Sequence, residues 1–460
     1  MDEALRNATA AEIKAWYATG ELSPTELAGA TLALLVDLEP TLHAFVTVTT
    51  EMAMNQARHA ERRIRELGRA AWDGHPLLGI PLSIKDLTPT AGVRTTRGSA
   101  NTVRWIPDRD APAVARIKQA GAVIIGKTTT SEGGWSAGTV NPIGPPAANP
   151  WDPRRSAGGS SGGAAAATAA GIGVAALGTD GAGSIRVPAA LCGVVGFKPT
   201  FGRAPYVPVS PEGLSHIGPI ARDVATADVV ATVISGPHPH DPFSTPPPPA
   251  PEFTDRPRVA WLRWPVEPTE PERVARAAAA TLAAEVSEVD IPFADPYADL
   301  VTILAAFDAC QDEADDAASD PHRMRVVRHG RTLTAADLAR ATTRRAALRQ
   351  SVDRLLVEFD VLAMPTVWIE PFAVDAWRPD DGEDRDGLGW LAWCRAAYPF
   401  NLTGHPAISV PAGFTAAGYP VGMQLVARHG ADENLVRLAE QFEQHRPWRG
   451  RDPRKDRVRP

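Results

Sequence analysis

Ala157-Gly158-Gly159-Ser160-Ser161-Gly162-Gly163 runs into an alanine-rich stretch, and the chain then reaches Gly178-Thr179-Asp180-Gly181-Ala182-Gly183-Ser184-Ile185-Arg186. The glycines allow a tight turn, the alanines predict a buried helix over Gly162–Ala170, and Val174–Leu177 reads as a short strand. The same alternation extends outward on both sides. Upstream, Leu77–Ile84 reads as a buried strand and Ala111–Ala120 as a helix closed by Gly121. Ala122-Val123-Ile124-Ile125 is a second strand ending at Gly126-Lys127. Downstream, Val194–Phe197 resembles a further strand. This rhythm predicts an α/β protein whose central sheet is mixed, mostly parallel and covered by helices.

The flanks read differently. Residues 1–70 predict an N-terminal helical extension. Thr9 caps a first helix that Gly20 ends, Ser23-Pro24 starts a second, and Glu51–Leu67 is a charged third closed by Gly68. Residues 71–460 form the main domain. Within it, 236–257 is a Pro-rich connector that includes Pro246-Pro247-Pro248-Pro249. Residues 258–358 are expected as a helical insertion, with helices over Glu272–Val286 and Thr334–Phe359. Asp360–Pro365 then returns to the sheet. Ala407–Pro411 and Val421–Val426 close it as a pair, and Asp432–His445 is the last helix.

The 460 residues are 44% hydrophobic and 22% charged, which fits an ordinary soluble globular protein. A net charge of −7 gives no reason to expect nucleic acid or an anionic membrane as a partner. The basic tail Arg446–Pro460 reads as a solvated, frayed terminus. Cys192, Cys310 and Cys394 lie far apart, without the spacing of a disulfide framework or a cysteine-based zinc site. The N-terminus lacks an apolar signal region and no apolar run approaches membrane-spanning length, so the expected location is cytoplasmic.

Basic residues are nearly all arginine. The lysines are Lys14, Lys85, Lys118, Lys127, Lys198 and Lys455 among 47 Lys plus Arg. Arginine cannot lose its proton in a protein, whereas a desolvated lysine can. Lys85, beside the apolar run Leu77–Ile84, is therefore a candidate base. Ser184 sits at a turn entering a helix, where preceding N–H groups can converge on an oxyanion; a structural turn whose serine caps the helix is the plainer reading. Ser160 and Ser161 admit three readings: a phosphate cradle at a helix N-terminus, a flexible linker, or a proton relay. The following apolar helix argues against a linker, and the relay needs Lys85 and Ser184 nearby. Together these residues point to acyl transfer through a serine, without a histidine.

Several ordered motifs resemble the amidase signature family. They are Gly79–Asp86, the Gly-Gly-Ser-Ser-Gly-Gly block, Gly178–Arg186, Cys192–Thr200 and Asn401–Pro411. The resemblance spans about Leu77 to Phe442 and weakens between Pro237 and Glu358. It implies a three-layer α/β/α fold and a Ser–Ser–Lys triad. Ser184 matches the nucleophile, Ser160 the bridging serine after a cis peptide bond, and Lys85 the general base. The N–H groups of Gly181, Ala182, Gly183 and Ser184 match the oxyanion hole; many relatives carry glycine in place of Ala182. Asp180 and Arg186 are read as bracing this loop, Cys192 as packing, and Lys127 and Lys198 as structural. His75, His216 and His405 lack metal-ligand spacing, and no cofactor or metal is implied.

By the same analogy, the aromatic segment Leu388–Phe400 lies near the acyl-binding side. With Trp135, and Ser161 as a further substrate contact, it favours a small-molecule carboxamide with an apolar or aromatic acyl group. Core packing explains most of these aromatics equally well, and Ser161 equally reads as support of the loop. No nucleic acid or membrane partner is expected, and a homodimer is left open. The alternatives are a glutaminase component of an amidotransferase, which passes ammonia to a partner, and a catalytically idle scaffold. The first is disfavoured because no acid near Cys394–Tyr398 would hold a glutamine amino group.

Overall fold

Thr9 and Ser23 each accept from the backbone N–H three residues on, closing capping boxes over the helices Ala10–Thr19 and Pro24–Leu42. These starts follow the sequence signals residue for residue. The structure is a computed structural model that describes residues 1, 3–246, 256–282, 285–311, 318–380, 386–453 and 455–456. Pro247–Pro249 of the connector, and Arg454 and 457–460 of the tail, lie outside the described residues.

Thirteen strands are described: β1 (Phe45–Val48), β2 (Pro81–Lys85), β3 (Val123–Thr128), β4 (Ala148–Asn149), β5 (Asp152–Ser156), β6 (Ala175–Asp180) and β7 (Val195–Lys198), then β8 (His216–Ala221), β9 (Arg258–Arg263), β10 (Glu285–Asp290), β11 (Val361–Pro365), β12 (Ala407–Phe414) and β13 (Pro420–Ala427). All but β4 and β5 join one 11-stranded sheet in the order β1-β3-β2-β6-β8-β7-β12-β13-β11-β9-β10. The sheet is mixed. Parallel pairing occupies two blocks, β3-β2-β6 and β11-β9-β10. An antiparallel centre links them, and β1 joins the outer edge of the first block antiparallel.

Successive strand residues feed opposite faces. Ile124 packs with Leu82, Ile84 and Ile117 in one core, while Val123 and Ile125 pack with Ala164–Ala167 in another. That alternation produces helical layers on both sides of the sheet. Each fully buried aliphatic chain contributes about 1.5–3 kcal/mol, so both layers are firmly held.

Some expectations are corrected. The strand read over Leu77–Ile84 begins only at Pro81; Leu77–Gly79 form a buried turn, with Ile80 N–H donating to Leu77 O at 2.9 Å. β6 runs on to Asp180, beyond the predicted Leu177, and β3 runs to Thr128. The helix read over Glu272–Val286 spans Glu270–Ala279, and Glu285-Val286 open an edge strand instead. Residues 258–358 therefore supply two strands, β9 and β10, as well as helices, and 1–70 supply β1. The described part of the basic tail is docked rather than frayed. Arg6 pairs with Asp452 at 2.9 Å, both buried, and the Arg451 guanidinium lies 4.2 Å over the Phe414 ring. Among the described residues no helix is long and apolar enough to cross a membrane.

Candidate active site

β2 and β6 lie side by side and parallel, so their C-terminal ends bring Lys85 and Thr179-Asp180 to one edge of the sheet. Crevices at such strand ends are where open α/β sheets bind ligands. Lys85 is fully buried, as are Lys127 and Lys198. Its Nζ lies 2.6 Å from Ser160 Oγ and 2.8 Å from Thr179 Oγ1. Burial pushes the Lys85 ammonium well below its usual pKa, and the Asp180 charge opposes this only in part. A lysine in that state has a neutral, proton-accepting form within reach.

Ser160 is carried by the loop before the helix Gly162–Ala169, and the Gly159–Ser160 peptide bond is cis. Gly163 permits the helix to seat here: a Cβ would stand 2.5 Å from Thr129 N and from Ala44 O. Ser161 does not reach the cavity. Its hydroxyl donates to Thr179 O at 3.2 Å and accepts from Thr179 N at 3.3 Å, while its N–H donates to Ser184 O at 3.1 Å. Ser161 thus stitches the two serine loops together, and the expected substrate contact is corrected to this bracing role.

Ser184 precedes the helix Arg186–Cys192. Asp180 and Arg186 clamp its loop. Arg186 is fully buried and spends every N–H: Nε and Nη2 on the Asp180 carboxylate, both at 2.9 Å, and the remainder on Ala397 O, Gln424 Oε1 and Asn401 Oδ1. Burial alone would raise the Asp180 carboxyl, but the Arg186 charge and hydrogen bonds hold it far below the carboxylate range. Gly183 differs from expectation. Its N–H donates to Asp180 Oδ1 at 2.7 Å, so it is committed to the clamp rather than to an oxyanion. Among the described residues the N–H groups of Gly181, Ala182 and Ser184 have no protein acceptor. These three N–H groups are the free donors of the loop.

Ser160, Ser184, Gly181 and Ala182 face one chamber of about 100 Å³. Trp135, Trp390 and Leu391 wall it, with Trp390 Nε1 donating to Trp135 O at 2.8 Å. Trp135 also stacks on Trp377, centroids 5.6 Å apart. Sequence reading missed Tyr206, Glu212 and Asp308, which line the same chamber. Nothing local marks them, because Asp308 arrives on the helix Tyr297–Gln311 and the other two on the segment before β8. Burial, then the Glu212 charge, pushes the Tyr206 phenol up to about 12. Cys192 is buried with its thiol pushed up by desolvation, which leaves no thiolate to attack. Among the described residues no group of three or more His, Cys, Asp or Glu is arranged to hold a metal ion.

The family model described as "Amidase" matches residues 26–436, most of the chain and every residue of this site. The chain belongs to the amidase signature family. An acylamidase of Rhodococcus erythropolis is 34% identical over 475 residues, covering 97% of each chain. A glutamyl-tRNA(Gln) amidotransferase subunit of Roseiflexus sp. (strain RS-1) is 36% identical over 480 residues, covering 94% of this chain and 95% of that one. Among solved structures, 6-aminohexanoate cyclic dimer hydrolase superposes with a TM-score of 0.87 at 29% identity, covering 97% of this chain and 99% of its own. The chain is an amidase signature hydrolase of the α/β class.

Proposed function

We propose that this amidase is a cytoplasmic enzyme that hydrolyses a small-molecule carboxamide through an acyl-enzyme on Ser184, with Ser160 as relay and Lys85 as base. The observation that carries the reading is Lys85 Nζ at 2.6 Å from Ser160 Oγ, buried behind the chamber that Ser184 faces. Neutral Lys85 takes the Ser160 proton while Ser160 takes that of Ser184, whose Oγ bonds to the carbonyl carbon. The oxyanion is received by the N–H groups of Gly181, Ala182 and Ser184. Its collapse breaks the C–N bond, and the nitrogen leaves with the proton returned from Lys85 through Ser160. Water then cleaves the ester by the same relay. Positioned proton transfer of this kind contributes about 10²–10⁴ in rate. Each oxyanion donor contributes about 10²–10³.

Trp135, Trp390 and Leu391 support an apolar or aromatic acyl group. The test is a panel of anilides and primary amides assayed with purified enzyme against a Ser184→Ala blank. Aryl amides turned over by the wild type alone support the proposal; equal rates in both proteins overturn it. A second reading, a glutaminase that delivers ammonia to partner chains, is favoured by Glu212 and Asp308, acids able to hold an amino group in this chamber. Hydrolysis of free glutamine only when partner chains are present would support that reading.

A further inference from the structure

The chamber that Ser184 faces is one part of a longer cleft. Leu87, Gly133, Tyr206, Ser215 and Phe307 also wall a second, outer cavity of about 220 Å³. Apolar groups such as Trp105, Pro89, Val209 and Ile217 line most of it, and Arg97 is its only charged side chain among the described residues. The inner chamber has the opposite character, since among the described residues its charged side chains are Glu212 and Asp308. Glu212 lines only the inner chamber, with Oε1 accepting from Ser215 Oγ at 2.6 Å and from Ser210 Oγ, and these two serines also line the outer cavity.

Arg97 is exposed, and among the described residues its guanidinium has no hydrogen-bond or ion-pair acceptor. Its position is nonetheless tightly fixed. Arg97 N–H donates to Asp86 O at 3.0 Å, and Arg97 O accepts from Gly133 N–H at 2.8 Å. The neighbouring Thr96 N–H donates to Asp86 Oδ2 at 2.9 Å. The backbone φ of Arg97 is 55°, in the left-handed region that favours glycine. The chain thus holds an arginine where glycine would fit at lower cost, and aims it at a cavity that, among the described residues, offers no protein anion to meet it. Backbone outliers of this kind gather at ligand-binding positions. A guanidinium fork matches a carboxylate through two parallel hydrogen bonds.

We propose that the outer cavity is a carboxylate subsite in which Arg97 receives an anionic group on the amine half of the substrate. The preferred substrates are then N-acyl aminocarboxylates: the apolar or aromatic acyl group lies against Trp135 and Trp390, and the leaving amine carries its carboxylate to Arg97. Charge fixes the direction of binding, because a carboxylate in the inner chamber would meet Glu212 and Asp308. The proposal rests on the reading of the inner chamber as the acyl side of an amide hydrolase.

The test compares kcat/KM for N-benzoyl-4-aminobutanoate and its neutral counterpart N-benzoylbutylamine. The expected ratio is tenfold or more in favour of the carboxylate, falling toward one in Arg97→Gln and only in part in Arg97→Lys. Losing a charge-assisted bidentate contact typically costs about tenfold to a hundredfold. Arg97→Gly, which suits the backbone angle, is the second variant and must lose the preference too. Butyryl and succinyl 4-nitroanilides place the carboxylate on the acyl side instead; a preference appearing only there overturns the assigned direction. Calorimetric binding of N-benzoyl-4-aminobutanoate to Ser184→Ala separates this proposal from the catalytic one. Binding weakened tenfold by adding Arg97→Gln upholds the subsite whatever the turnover, and unchanged binding overturns it even in an active enzyme.

Discussion

Lys85 Nζ and Ser160 Oγ, 2.6 Å apart, are joined across two separate segments, the end of β2 and the loop before the helix Gly162–Ala169. The lysine has no exposed surface, so its charge cannot be solvated by bulk water. Lys85→Arg separates a base from a mere hydrogen-bond donor. Arginine keeps the charge and the donors but cannot be deprotonated. Lys85→Arg should lose about 10²–10⁴ in kcat, as is typical for general-base removal. Near-normal steady-state rates at neutral pH would assign the base elsewhere.

Activity should also fall on the acid side of the pH profile. Burial depresses the Lys85 pKa, and the proposed mechanism needs its neutral form. As pH falls through that depressed value the lysine takes a proton, and log kcat/KM should drop with unit slope. A profile flat to below pH ~5, where carboxylates begin to titrate, would point to another base.

The Asp180–Arg186 clamp predicts a large stability effect. Arg186→Met would leave the buried Asp180 carboxylate without its cation, at a cost of about 3–5 kcal/mol. Adding Asp180→Asn removes the stranded charge and should recover part of the loss. Denaturant unfolding of both variants measures it. An unaltered midpoint in Arg186→Met would show that the clamp does not hold the loop.

Gly183 and Gly181 should behave differently when changed to alanine. At Gly183 the φ is 120°, and a Cβ would stand 2.6 Å from Ala397 Cβ. Overpacking of this kind costs about 1–3 kcal/mol. At Gly181 the nearest atom, Ser215 Oγ, is 3.6 Å away. Thermal melts should therefore show a lowered midpoint for Gly183→Ala and one near wild type for Gly181→Ala.

Much of this site was legible in the chain. Glycine-flanked serines, a lysine in an arginine-rich composition and apolar strand runs are local signals. Lys85, Ser160 and Ser184 were named from them and from the family motifs that hold them. The commitment of Gly183 N–H to Asp180 was not legible, because it depends on how one side chain folds back over its own loop. Nor were Asp308, Glu212 and Arg97 as cavity walls, since their positions are set by long-range packing. β10 was hidden for a related reason: its residues Glu285–Asp290 are edge-exposed and polar, and lack the buried pattern that marks a central strand. The turn at Leu77–Gly79 misled in the opposite sense, because its apolar residues are buried without being extended.

The nucleophilic role of Ser184 is tested most directly by active-site labelling. The enzyme is treated with a fluorophosphonate, digested and mapped by mass spectrometry, with Ser184→Ala in parallel. One adduct is expected, on Ser184, with activity lost in proportion and no label on the variant. An adduct on another residue with Ser184 unmodified, or turnover retained by Ser184→Ala, would contradict it.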